Sequence, residues 1–182
     1  MKIKGIRFTV RKIAALALYY GFAQYLPAGD SIFLGGGKCI RYQLVKRIFK
    51  SCGKNVNVER RACFGSGRNI EIGDNSGIGI NARIPSNTKI GKNVMMGPNC
   101  HILGANHSFD NTDIPMIKQG MSIQKVTIIE DDVWIGRNVT FTPGRTVKKG
   151  TIVGACTLLC KDFPEYSIVG GNPSKLIRSR KE

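Results

Sequence analysis

The chain is poor in acidic residues and in histidine, and its apolar segments are short. Its 182 residues hold 12 Asp or Glu against 28 Lys or Arg, which gives a formal net charge of +16, and only two histidines. The uncharged segment nearest the N-terminus covers residues 13–26, whereas a membrane-spanning helix needs about 20 apolar residues. This segment is therefore expected to pack against the domain, to lie on a membrane surface or to form a helical arm in an oligomer.

The cysteines lack the spacing of a metal site or of a disulfide framework. No metal centre is expected from them, and buried free thiols are the preferred interpretation. Free thiols are typical of the reducing cytoplasm, which is the expected compartment. The six cysteines are Cys39, Cys52, Cys63, Cys100, Cys156 and Cys160.

Positive charge is concentrated in the first 61 residues, which carry 13 Lys or Arg against Asp30 and Glu59. Such a segment can bind nucleic acid, but its basic and aromatic residues do not alternate on a recognisable binding fold, and no nucleic-acid partner is expected. An anionic lipid surface fits better, so residues 1–30 are a candidate for peripheral contact with the inner face of a membrane. The cations at the start of this segment are Lys2, Lys4, Arg7, Arg11 and Lys12.

An apolar residue recurs at every sixth position in two long stretches of the chain. A helix face repeats near 3.6 residues and a strand face every two, so a strict period of six requires short strands joined by regular corners. The pattern predicts an all-β solenoid, a parallel β-helix, with an inserted loop at residues 103–125. The first stretch is Ile72, Ile78, Ile84, Ile90, Met96 and Ile102, and the second is Ile129, Ile135, Phe141, Val147, Val153 and Leu159.

The remaining segments flank this solenoid, which is expected over residues 55–172. Residues 1–54 are expected to form a basic and apolar helical extension, broken near residues 27–30 and 35–37. Residues 173–182 are expected to form a short C-terminal helix, because proline favours the first helical turn and Pro173 begins the segment.

Three motifs resemble those of a known family, the hexapeptide-repeat acyltransferases, in the branch that contains sugar O-acetyltransferases and xenobiotic acetyltransferases. The resemblance covers residues 55–178. It implies a left-handed parallel β-helix, an acetyl-CoA-dependent O-acetyltransferase activity and a homotrimer whose sites lie between adjacent chains. The motifs are Asp132-Val133-Trp134-Ile135-Gly136, the run from Tyr166 to Pro173 (Tyr-Ser-Ile-Val-Gly-Gly-Asn-Pro) and, in the insertion, Gly104-Ala105-Asn106-His107.

The resemblance also assigns catalytic roles. His107 is implied to be the general base, a role that histidine fills most often, although a solvated loop histidine would be preferred without the surrounding motif. The backbone amide of Arg137 is implied to stabilise a developing oxyanion. Asp110 could orient the imidazole, and Asn106 and Asp113 could contact the acceptor; exposed loop carboxylates are an equal alternative.

The implied donor, acetyl-CoA, is long and carries several phosphates, so it requires an extended groove and cations. At one position the sequence departs from the family, because Cys160 stands where relatives carry Ser or Thr before the lysine. For Trp134, packing against the inserted loop is an even alternative to lining the groove. The residues expected to bind the donor are Trp134, Gly136, Ala155, Cys160, Lys161 and Arg178.

The expected acceptor is a hydroxylated sugar in a nucleotide-linked or lipid-linked precursor of capsule, O-antigen or exopolysaccharide, because such anionic substrates suit a basic head. An antibiotic acceptor is the alternative. A third interpretation is a solenoid that serves only as an inactive scaffold, against which the insertion with His107 argues.

Overall fold

The computed structural model describes residues 2–3, 6–7, 9–29, 31 and 36–182. The first part is a helical head, in which the side chain of Thr9 caps the first helix by accepting from the Lys12 amide. The predicted helical extension is confirmed, while Lys4, Asp30 and Gly35 lie outside the described residues. The elements of the head are β1 (Lys2–Ile3), β2 (Ile6–Arg7), α1 (Val10–Gly21), a 3-10 turn (Ala23–Tyr25) and α2 (Gly36–Ile48).

Short strands, most of them two residues long, follow the head along the chain. They are β3 (Ser51–Cys52), β4 (Asn57–Val58), β5 (Glu71–Ile72), β6 (Gly77–Ile78), β7 (Lys89–Ile90), β8 (Met95–Met96) and β9 (His101–Ile102). After the insertion, which contains the helical turn α3 (Met116–Gln119), come β10 (Ile128–Ile129), β11 (Trp134–Ile135), β12 (Thr140–Phe141), β13 (Thr146–Val147), β14 (Ile152–Val153), β15 (Leu158–Leu159), β16 (Ser167–Gly170) and β17 (Lys175–Ser179).

Strands of successive coils pair in parallel and stack into the three faces of a prism. Face one contains β3, β5, β7, β10 and β13. Face two contains β8, β11, β14 and β16, and the β4–β6 pair continues it toward the head, where the Gly77 amide donates to the Val94 carbonyl at 2.9 Å. Face three contains β9, β12 and β15, extended by bridges from Arg83 to Cys63 and to His101. The chain turns at a first corner between faces one and two, a second between two and three, and a third between three and one, and the predicted parallel β-helix is confirmed.

The pairing register of the strands gives the length and the position of the insertion. Glu71 pairs with Lys89, 18 positions on, and Ile128 pairs with Thr146 at the same spacing, so one coil consists of three hexads. Lys89, by contrast, pairs with Ile128, 39 positions on. The insertion therefore adds 21 residues to a single coil, and it leaves the solenoid at the third corner, directly after β9.

The first coil is two residues longer than a regular one, because Ser51 pairs with Glu71, 20 positions on. Cys63 still pairs with Arg83, 20 positions on. The two extra residues therefore lie after Cys63, at the corner that contains Gly65 and Gly67. Both glycines have φ near +57°, in the left-handed region that glycine adopts without strain. This corner explains why the apolar residues before Glu71 run two positions out of phase with those after it.

The predicted apolar positions form the core. Of the twelve, all but Met96 are buried, and Met96 is half-buried. Each buried isoleucine or valine contributes about 2 kcal/mol relative to an exposed one. Because the side chains stack coil upon coil, this contribution accrues along the whole prism rather than in one central cluster.

Asparagines line two corners of the prism as hydrogen-bonded ladders. The side-chain amides bridge successive coils at 3.0–3.3 Å. All six residues have φ between 52° and 60°, a region that asparagine enters more readily than most other residues with a Cβ. The ladder at the first corner is Asn55, Asn75 and Asn93, and the ladder at the second corner is Asn81, Asn99 and Asn138.

The C-terminal segment is a strand, and the helix expected over residues 173–182 is wrong. β17 runs antiparallel to β16, with Arg178 opposite Ile168 and Lys175 opposite Gly170. The last coil of a solenoid leaves an unpaired strand edge, and β17 covers that edge with backbone hydrogen bonds. A helix of so few residues would have little stability of its own, so pairing decides the structure here.

A buried arginine joins the head to the solenoid. The side chain of Arg41, on α2, is fully buried and donates to the carbonyls of Leu26 and Pro27 at 3.1 Å and to that of Val58. Its guanidinium also lies 3.6 Å from the carboxylate of Glu59. The cation therefore satisfies acceptors from the head and from the first coil at once.

Replacing Arg41 with methionine is expected to lower the free energy of unfolding by about 3–5 kcal/mol, because the carbonyls of Leu26, Pro27 and Val58 would lose this donor and the Glu59 carboxylate would lose its partner charge. Denaturant unfolding measures this change. The matched control is Arg47→Met on the same helix, where the arginine is exposed and the loss should stay below about 0.5 kcal/mol. Equal losses in the two variants would contradict the role of Arg41.

Candidate active site

A surface groove of about 460 Å³ lies at the second corner of the prism. Its walls come from three successive coils, which place residues far apart in sequence beside one another. Four of the lining residues have a role predicted from the sequence, and these are Trp134, Gly136, Arg137 and Ala155. The other five had no site role predicted from the sequence, and these are Gly97, Pro98, Ile152, Val153 and Gly154.

Glycines allow the backbones of neighbouring coils to approach each other closely at the floor of this groove. A Cβ on Gly136 would lie 2.7 Å from the amide nitrogen of Ala155, and one on Gly97 would lie 2.8 Å from that of Arg137. In the described part of the chain, neither of these two amides donates to a protein acceptor. The groove therefore offers backbone N–H groups to a bound molecule, which is the arrangement that stabilises an oxyanion.

The insertion, residues 103–125, forms an arm with its own hydrogen bonds. At its base the Lys125 amide donates to the Gly104 carbonyl at 2.9 Å, and further out the Ser122 amide donates to the Asn106 carbonyl at 2.8 Å. The next residue after Asn106, His107, pairs with Met121 in an antiparallel bridge, so the two sides of the arm form a short ribbon. The backbone of His107 is thus held in a two-stranded ribbon, and its side chain is exposed.

The side chain of Gln119 organises the tip of the arm. Its amide donates to the carbonyls of Asn111 and Ile114 at 2.7 Å. Asp110 and Asp113 both lie on this exposed tip, and among the described residues neither carboxylate is hydrogen-bonded to the imidazole of His107. The roles predicted for the two carboxylates stay predictions.

The arm exposes far more apolar surface than a loop in water usually does. Two of its isoleucines, Ile117 and Ile123, are 86% and 89% exposed. A contiguous exposed apolar surface on a polar protein marks a contact site. The other large apolar residues exposed on the arm are Leu103, Phe109, Ile114, Met116 and Met121.

Comparison with known proteins decides the family. The family model described as bacterial transferase hexapeptide (six repeats) matches residues 69–104. The galactoside O-acetyltransferase of Escherichia coli K12 is 31% identical over 140 residues, which cover 76% of this chain and 68% of that protein. This chain belongs to the hexapeptide-repeat acetyltransferases. The enzyme class expected from the sequence is confirmed, and so is the left-handed β-helix.

Two solved structures and one shorter match extend the comparison. A maltose O-acetyltransferase from Clostridium difficile 630 has a TM-score of 0.75 at 28% identity, covering 94% of this chain and 87% of that one. A hexapeptide-repeat acetyltransferase from Vibrio cholerae, complexed with acetyl-CoA, has a TM-score of 0.73 at 31% identity, covering 99% and 96%. A chloramphenicol acetyltransferase of Agrobacterium fabrum is 50% identical over 54 residues, 30% of this chain and 26% of that protein.

In this hexapeptide-repeat acetyltransferase, the remaining candidates lie away from the groove. Cys160 and Lys161 follow β15 at the third corner, where the Cys160 thiol lies 3.5 Å from the Ser174 hydroxyl. This hydrogen bond lowers the pKa of the thiol. The Lys161 ammonium lies 5.5 Å from the centroid of the Phe163 ring, and Arg178 is exposed on β17.

A single chain of this acetyltransferase does not bring His107 to the groove. The arm leaves at the third corner and the groove lies at the second, so the whole of face three separates their attachment points. No residue of the arm is among those described as lining the groove. Within one chain, the predicted base and the predicted oxyanion donor therefore lie on different parts of the solenoid, the arm at the third corner and the groove at the second.

Proposed function

We propose that this chain transfers the acetyl group of acetyl-CoA to a hydroxyl of a sugar or glycan precursor, at a site shared by adjacent copies in a homotrimer. The observation that carries the proposal is the groove at the second corner, whose floor presents the amides of Arg137 and Ala155, which donate to no protein acceptor among the described residues. Backbone donors aimed at a thioester carbonyl are what direct acyl transfer requires.

The chemistry follows from these groups. His107 withdraws the proton of the acceptor hydroxyl, and the oxygen attacks the thioester carbonyl carbon. The Arg137 amide stabilises the resulting oxyanion with an effect worth about 3 kcal/mol. The carbon–sulfur bond then breaks, the CoA sulfur takes up the proton held by His107, and the acetyl ester is released without an acyl-enzyme.

The donor is assigned to the groove, and its phosphates to cations that lie outside the groove. Its pantetheine arm lies against Trp134, Gly136 and Ala155, where the wide exposed face of the indole offers an apolar contact. The exposed cations Lys161 and Arg178 attract its phosphates, and Cys160 stands with Lys161 where the donor's adenosine end is expected. On the arm, Asn106 and Asp113 contact the acceptor, and Asp110 orients the imidazole of His107.

The exposed arm supports the proposed homotrimer. Isoleucines that are almost fully exposed in one chain become buried when the arm packs on a neighbour, and each contributes about 2 kcal/mol on burial. In a cyclic trimer the arm of each chain packs on the groove of the next chain, so three equivalent sites form.

A sugar is the proposed acceptor because two of the compared proteins that span most of this chain carry sugar names, galactoside and maltose. The match to the chloramphenicol acetyltransferase supports the alternative, an antibiotic acceptor, over 30% of the chain. The basic head favours anionic, membrane-borne glycan precursors, such as those of capsule, O-antigen or exopolysaccharide, processed in the cytoplasm at the inner face of a membrane.

The assay that tests this function mixes the full chain with acetyl-CoA and, separately, with simple sugars, nucleotide sugars, polyprenyl-linked sugars and chloramphenicol. Cys39 and Cys156 are exposed and would consume a thiol reagent, so CoA is followed by chromatography and the product by mass spectrometry. An acetylated sugar is the expected product. Acetylated chloramphenicol alone would support the antibiotic alternative, and no turnover with any acceptor would support the scaffold.

A further inference from the structure

The outward face of α1 is apolar, although it is exposed. Positions 10, 14, 17, 18, 21, 22 and 25 recur at steps of three and four, so they lie along one side of the helix and of the turn after it. None of them is charged. The largest side chains on this face are exposed by 50–82%, and they are Val10, Leu18, Phe22 and Tyr25.

A groove of about 610 Å³ runs between α1 and α2 beside this face. Its apolar lining comes from Ala14, Ala15, Leu18 and Leu44, and the charged residues among those that line it are Arg11 and Arg47. Both arginines are exposed. The groove therefore combines an apolar surface with two cations that remain in contact with water.

Positive charge around the groove is not balanced by neighbouring acids. Neither α1 nor α2 contains an Asp or Glu. Within the described residues, Arg11 and Arg47 form no ion pair. Lys12 adds a further cation to α1, and its pKa is lowered by burial and then by the charge of Arg68. An anionic group would relieve this mutual repulsion.

We propose that the head docks on a lipid bilayer through the exposed face of α1 and holds the phosphate of one anionic phospholipid between Arg11 and Arg47. The apolar lining of the groove receives the start of the acyl chains. An apolar helix face edged by cations is the pattern of helices that lie in the membrane interface. None of the described helices has the length and apolarity to cross a bilayer, so the docking is peripheral.

This docking goes beyond the acetyl transfer proposed above, and it is measured without any acetyl donor. The full chain is sedimented with vesicles of phosphatidylcholine alone and with vesicles that contain one-third phosphatidylglycerol. Binding is expected only to the anionic vesicles, and it should weaken as salt is raised. Equal binding to both kinds of vesicle, or to neither, would overturn the proposal.

The double variant Arg11→Gln with Arg47→Gln tests the groove itself. Two cations at an anionic surface together contribute roughly thirtyfold in affinity, so binding should fall by that factor. The control, Lys92→Gln with Lys149→Gln, removes the same charge from exposed positions on the solenoid and should bind like wild type. Equal losses in the two variants would show that only net charge matters and would overturn the groove.

Leu18→Asn tests the apolar face, because the side chain is half exposed and its replacement leaves the core intact. Vesicle binding should fall while the unfolding midpoint stays unchanged. If instead the wild type ignores vesicles and Leu18→Asn lowers the mass of the oligomer in solution, the face is a contact between copies and the proposal is wrong. Turnover on a soluble sugar, measured without lipid, reports on the acetyl transfer independently of either result.

Discussion

Replacing His107 with alanine is expected to lower the turnover number of acetyl transfer about a thousandfold, because a positioned general base contributes between 10²-fold and 10⁴-fold. The affinity for CoA should not change, since His107 lies on the arm and the groove proposed for the donor lies at the second corner. Steady-state kinetics give the turnover number, and calorimetry gives the dissociation constant of CoA.

The other histidine of the chain provides the control. His101 is exposed on β9 of face three, and its backbone bridges to Arg83. His101→Ala should keep turnover close to the wild-type value. Two outcomes would contradict the assignment: a His107→Ala enzyme that retains its activity, or a loss shared equally by both histidine variants.

Introducing charge on the arm is expected to dissociate the proposed trimer and to abolish turnover together. In the double variant Ile117→Asp with Ile123→Asp, two carboxylates replace side chains that we propose to be buried against a neighbour. Each substitution removes about 2 kcal/mol of apolar burial, and the carboxylates add a desolvation penalty. Sedimentation velocity should therefore report single chains of 20.0 kDa, and these should be inactive because each lacks the partner of its site.

The control for the arm carries the same chemical change elsewhere. Ile40 on α2 is 40% exposed, and Ile40→Asp should leave both the mass and the turnover unchanged. A trimer that persists in the arm variant would place the contact between copies elsewhere. An arm variant that is monomeric and fully active would contradict a shared site.

The period of the apolar residues was enough to predict the prism. Ile72, Ile90 and Ile129 occupy equivalent places in three coils, and a period of six admits few other folds. The position of the insertion was also visible, because the period stops after Ile102 and resumes at Ile129. Local patterns of this kind are written in consecutive residues, so a single sequence reveals them.

Only some of the residues that line the groove could be predicted from the sequence. Gly97, Gly136 and Gly154 lie 39 and 18 positions apart, yet they stack at one corner. A period of 18 residues relates Gly136 to Gly154. The inserted arm lengthens the spacing between Gly97 and Gly136 to 39 residues, so that period does not relate these two. The residues that motif comparison found, such as Trp134, are those with a distinctive local sequence.

Other features depend on contacts that a linear pattern does not contain. The buried position of Arg41 requires acceptors from the first coil, which only the folded chain supplies. Likewise, the segment after Pro173 reads as a helix by its residue types, and its pairing with β16 overrides that preference. Tertiary context decides the conformation wherever local propensity is weak.

The most direct test of the shared site mixes two inactive variants. His107→Ala chains lack the base, and Ala155→Phe chains should not bind CoA because the phenyl ring fills the groove that the exposed Ala155 lines. When the two chains are coexpressed in equal amounts, about one site in four combines an intact arm from one copy with an intact groove from the next. Recovery of about a quarter of wild-type turnover is the predicted result. A mixture as inactive as its components would contradict the central claim, because it would mean that His107 and the groove must belong to the same chain.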